Sequence, residues 1–146
     1  MKKKVLLLTA VAILFCGLWL YEIFDKSDTE ELCRYYASVT YSSFEEHEML
    51  KEQNKNSSAP LANYWNAVSE FYAFSETLKL VVGHENTFYK DCRSLYHHMI
   101  LIPDEVLLHI NELIAAMENL SENYVDSESQ KIISDLNYLF QYGVNP

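Results

Sequence analysis

The sequence predicts an all-α protein: an antiparallel bundle of four to five helices preceded by an N-terminal hydrophobic helix. Three observations lead there. Glycine and proline are scarce, three each, and they sit where helices would start or stop. Between those breaks, apolar residues recur at three- and four-residue spacing, the mark of a helix with one buried face. At the start of the chain, Lys2, Lys3 and Lys4 precede an apolar run from Val5 to Tyr21 that holds no charge, and Glu22 and Asp25 close it.

The N-terminal run is 17 residues long. That is short for a bilayer span and long for the core of a signal peptide. Trp19 and Tyr21 stand at its far end, where interfacial aromatics belong. The small-x-small triplet Ala10-Val11-Ala12 lies inside the run, so cleavage there would leave a greasy new terminus. Bulky Phe15 argues against lipidation at Cys16. Residues 1–24 are therefore expected to form a membrane anchor, with a cleaved signal as the alternative. The lysines stay in the cytoplasm and Glu22 onward lies outside. The expected location is the cell envelope, anchored in the inner membrane, or periplasmic or secreted after cleavage.

Residues 25–146 read as one acidic helical-bundle domain. Ser27-Asp28-Thr29-Glu30 has the form of a capping box, which starts helix 1 near Asp28 and lets it run to about Asn54. Its expected inner stripe is Leu32, Tyr36, Val39 or Thr40, Ser43 or Phe44, His47 and Leu50. Pro60 suits the first turn of helix 2, where a missing N–H costs nothing. Leu61, Tyr64, Trp65, Val68, Phe71, Tyr72 and Leu78 follow at helical period, and Gly83 caps the end. Helix 3 begins near Asn86 with the stripe Phe88, Cys92, Leu95, Tyr96, Met99 and Ile102. Helix 4 begins at Pro103, with Asp104 and Glu105 favouring its N-terminus. It carries Val106, Leu107, Ile110, Leu113, Ile114, Met117 and Leu120. A turn is expected between Ser121 and Ser129. Helix 5 then presents Ile132, Ile133, Leu136, Leu139 and Phe140 and ends near Gly143. Short connections make consecutive helices antiparallel.

That alternation places Cys33 and Cys92 at the same end of the bundle, each about 8–9 Å along its helix. In an oxidising compartment the pair is expected to form a disulfide.

The other motifs carry less chemistry. No Glu-x-x-His occurs, Glu105, His109 and Glu112 share one predicted helix face, and the rings of His97 and His98 diverge; no metal or other cofactor is expected. Gly-x-Ser-x-Gly, His-Glu-x-x-His and a glycine-rich phosphate loop are all missing, so the chain is not expected to be an enzyme.

From Asp25 onward, 8 lysines and arginines face 20 acids, a net charge of −12. A field of that sign repels nucleic acid and attracts basic proteins. The basic residues show no gathering into a patch. The tyrosines number eleven, and tyrosine is enriched at protein interfaces. Tyr35, Tyr36 and Tyr41 cannot all face the core of one helix, and the acids Glu45, Glu46 and Glu48 follow them. Tyr35, Tyr41, Glu45, Glu46 and Glu48 are therefore the candidate partner-binding residues. The expected function is a membrane-tethered, extracytoplasmic protein-binding module. It would act as an inhibitor or immunity protein or as an accessory subunit of an envelope complex, holding a basic protein. The alternatives are an assembly component acting through its transmembrane helix, or a metal- or ligand-binding bundle.

Overall fold

The computed structural model describes residues 2–53 and 59–143, with side chains from Lys26 onward. Among the described residues there are six helices and no strand: α1 (Lys2–Gln53), α2 (Ala59–Val82), α3 (Thr87–Leu101), α4 (Pro103–Leu107), α5 (Ile110–Glu122) and α6 (Ser127–Tyr142). The all-α bundle is as expected. Among the described residues no helix is long and apolar enough to cross a membrane. The run Val5–Tyr21 lies outside the residues whose side chains are described.

The helices close into a ring. α1 lies against α2 and α5, α3 against α2 and α6, and α5 against α6. The order around the core is therefore α1–α2–α3–α6–α5, with α4 a single turn attached to α3. Phe44, Tyr64, Phe71, Phe74, Leu78, Leu95, Met99, Leu113, Met117, Leu120 and Ile133 fill the centre, each fully buried.

Helix ends follow local backbone chemistry. Gly83 takes φ 87° and donates its N–H to Lys79 O at 2.9 Å, a left-handed cap that a side chain would strain. Asn86 caps α3 by accepting from the N–H groups of Phe88 (2.9 Å) and Tyr89 (3.4 Å). Asp126 caps α6 by accepting from Ser129 N–H at 2.8 Å; the sequence reading placed a turn there without identifying its cap. Gly143 ends α6 at φ 69°.

One expected helix start and one expected helix are corrected. Ser27 does not begin a helix, because α1 runs through Ser27–Glu30 without a break. A capping box serves N–H groups that lack a turn before them, and here the preceding turn already supplies their acceptors. Predicted helix 4 is in fact two. Leu108 and His109 donate to Glu105 O (3.2 Å) and Val106 O (3.0 Å), three-residue bonds that tighten and bend the chain. Pro103 directs α4 from the end of α3, whereas α5 must lie along α1 and α6, so the direction changes between them.

The inner faces of α1 and α2 also differ from expectation. On α1 the buried stripe is Cys33, Ala37, Thr40, Phe44 and His47, and Leu32 is 42% exposed. Small residues at 33 and 37 let the neighbouring helices approach. The Thr40 hydroxyl is satisfied by donating to Tyr36 O at 2.7 Å. His47 Nδ1 lies 2.6 Å from Pro60 O. A carbonyl only accepts, so Nδ1 carries the hydrogen and ties α1 to the first turn of α2. On α2, Ala67 and Phe74 take the core positions that Leu61, Trp65 and Tyr72 were expected to hold; those three point outward.

Candidate protein-binding surface

The five residues singled out on α1 do not form one patch. At about 100° per residue, Tyr35 and Glu46 share the outer face, with Tyr35 57% exposed. Tyr41, Glu45 and Glu48 lie on the flank toward α5. There Tyr41 is half-buried against the core and donates its hydroxyl to Glu45 Oε1 at 3.0 Å. That bond, with Glu118 of α5 nearby, raises the Tyr41 pKa. Glu48 pairs with Lys51 at 3.1 Å. Tyr35 instead joins Asp28, Glu31 and Leu32 around a shallow depression on α1. The sequence reading grouped residues adjacent along the chain, and the helix separates them.

Charge is segregated around the ring. From Lys26 to Gln53, α1 carries seven acids and three bases, and α5 carries three acids and no base. α2 and α3 together carry three of each. The net negative charge therefore lies mainly on the α1–α5 side. Tyr124, beside α5, bonds Glu30 of α1; burial first and this bond second push its pKa up to about 12.

The α2–α3 side is aromatic and charge-balanced. Tyr72 and Tyr96 stand 4.9 Å apart, and the Arg93 guanidinium lies 5.1 Å and 5.5 Å from their ring centres. Arg93 Nη1 is 3.5 Å from Glu76 Oε1, without hydrogen-bond geometry. Lys79 pairs with the other Glu76 oxygen at 3.7 Å, and Lys90 with Glu85 at 2.7 Å. The three basic residues of this side are each paired with an acid. Leu61 and Trp65 of α2 and Ile100 of α3 are also partly exposed. Trp65 at 42% exposure is the large aromatic that sequence reasoning missed. Trp65 and Tyr72 have the same seven-residue spacing as Tyr64 and Phe71, so spacing does not separate the two stripes; burial does.

A groove of about 250 Å³ runs between α5 and α6, lined by His109, Glu112, Ile132, Asp135, Leu136 and Leu139. His109 Nδ1 lies 3.3 Å from Glu112 Oε1. The His109 and His98 rings both stand against Phe140, at 5.8 Å and 5.7 Å. Burial, and His97 after it, lower the His98 pKa. Glu105 sits on α4 and does not join His109 and Glu112 on one helix, which corrects the shared face expected for these three. Among the described residues no group of three or more His, Cys, Asp or Glu is placed to hold a metal ion.

Cys33 and Cys92 are both fully buried in the one core and are free thiols. Burial raises both pKa values, Cys33 to about 12, and Cys33 itself contributes to the rise at Cys92. The two thiols therefore lie within electrostatic reach of each other, although α1 and α3 do not form a packed pair in the ring.

No known family model, no curated protein and no solved structure matches this chain.

Proposed function

We propose that this protein is a membrane-tethered, extracytoplasmic module that binds a basic protein through its acidic α1–α5 side. Inhibition of an envelope enzyme, or service as an accessory subunit, are the roles such a module would fill. The observation that carries the reading is the segregation of charge. An acidic surface needed only for solubility would be spread evenly, whereas here α2 and α3 are balanced and α1 and α5 are not. Such a field accelerates encounter with a positively charged partner and orients it. Tyr35 and Leu32 supply exposed apolar contact area within that side. The anchor role of Val5–Tyr21 belongs to the same proposal and rests on the lysine-flanked apolar run.

A second reading has its own support. Trp, Tyr and Arg dominate binding hot spots, and Tyr72, Tyr96 and Arg93 form such a cluster on the α2–α3 side, with Trp65 exposed on the same helix as Tyr72.

Site-specific photo-crosslinking in cells separates the two. Crosslinkers placed at Tyr35 and Glu46 should capture a partner with a basic surface, while one at Trp65 should not. Adducts at Trp65 alone would move the contact to α2–α3. The absence of a protein adduct at every position would remove the binding function.

A further inference from the structure

We propose that the groove between α5 and α6 receives a single basic side chain, arginine or lysine, presented by the protein partner. The groove holds about 250 Å³. Small-molecule and cofactor sites run from roughly 300 to 1,000 Å³, so its size suits a side chain. Its lining is amphipathic. Ile132, Leu136 and Leu139 supply apolar surface, and Glu112 and Asp135, neither of them buried, supply carboxylates. An apolar stem ending in a cation matches both parts.

Among the described residues Glu30 is paired with Lys26, Glu48 with Lys51, Glu76 with Lys79 and Arg93, and Glu85 with Lys90, while other acids such as Glu31 and Glu46 have no lysine or arginine partner. Among the described residues no lysine or arginine pairs with Glu112 or Asp135, and Lys131, one turn before Asp135, does not reach it. Glu112 meets only the His109 ring. A carboxylate accepts, so His109 Nδ1–H donates to it. This holds Glu112 at one end of the groove, where His109 is itself set edge-on against Phe140. α5 carries no base to compete for an incoming cation.

The inference rests on the protein-binding reading for what presents the side chain, and its test is separate. The full chain in a non-ionic detergent, methyl-labelled at Ile and Leu, would be titrated with n-butylguanidinium and n-butylammonium, with n-butanol as the neutral probe. Either cation should give saturable shifts at Ile132, Leu136 and Leu139, with a Kd on the order of millimolar. Asp135→Asn with Glu112→Gln should weaken this at least about tenfold. Glu45→Gln with Glu46→Gln, which removes the same charge from α1, should leave it unchanged. None of these four positions is buried, so both variants should keep the parent circular-dichroism spectrum. Were the groove variant to unfold, salt on the unmodified protein decides: added NaCl should weaken the cations and spare butanol. Three results overturn the proposal: no saturable shift, equal weakening by the α1 pair, or butanol binding as well as the cations. A failed titration leaves crosslinks at Tyr35 standing, and saturable titration without crosslinks removes the protein and keeps the groove.

Discussion

Glu70 sits half-buried on α2 with Oε2 enclosed and without a hydrogen bond. Burial raises its pKa, and the bond from Ser43 offsets this only in part. An acid whose folded pKa lies above its unfolded one adds stability that is present at low pH and lost as pH rises through the folded value. Glu70→Gln should therefore raise Tm at pH 8 and leave it unchanged at pH 3. Thermal melts at the two pH values check this, and equal Tm at pH 8 would contradict it. Cys33 and Cys92 make a second residue-scale test. A disulfide between them would transfer both thiol hydrogens to an oxidising disulfide of a thiol oxidoreductase. It would close a loop of 59 residues, worth on the order of 4 kcal/mol in the chain-entropy model. Protein exported natively and alkylated in denaturant should take up reagent at neither cysteine until reduced. Uptake at both without reductant excludes the pairing.

At the scale of the element, the breaks were readable and the faces were not. Pro60, Gly83, Pro103 and Gly143 act through their own backbones, so their effects could be read locally. Gly83 gives a direct test. A Cβ there would meet nothing within 4 Å, so Gly83→Ala costs only the left-handed backbone, about 1–2 kcal/mol. Chemical denaturation should show that loss with an unchanged m-value. Faces are harder because period alone does not choose between adjacent stripes. α2 carries two, Tyr64–Phe71–Phe74–Leu78 and Leu61–Trp65–Tyr72, both bulky and apolar; only the neighbours α1 and α3 decide that the first is inside. On α1 the core is Cys33, Ala37, Thr40 and His47 around one Phe44, a set that hydrophobicity ranks poorly. For the same reason the candidate site was only half found. Tyr35 was singled out as a candidate contact, whereas Asp135 and Glu112 come to line one groove only through the α5–α6 packing.

For the whole molecule, the proposed orientation, with Lys2–Lys4 in the cytoplasm, makes a direct prediction. A reporter fused after Asn145 should be active only in a form that works outside the cytoplasm. Activity of a cytoplasmic-only reporter there would reverse the compartment and remove the oxidising setting for Cys33 and Cys92. The ring order has a further consequence, for the sequence of folding. The pairs α1–α2, α2–α3 and α5–α6 join helices next to each other or separated by a short turn, whereas the seam between α1 and α5 spans three intervening helices. Contacts between distant parts of a chain carry the larger loop-closure cost and form slowly. During synthesis α1 must then wait, its inner face open on one side, until α5 has been made. Cys33 lies on that face, so its thiol should be reachable by an oxidant before the seam closes and sealed afterwards. Pulsed alkylation during refolding should label Cys33 until late, and early protection would show that the seam forms first.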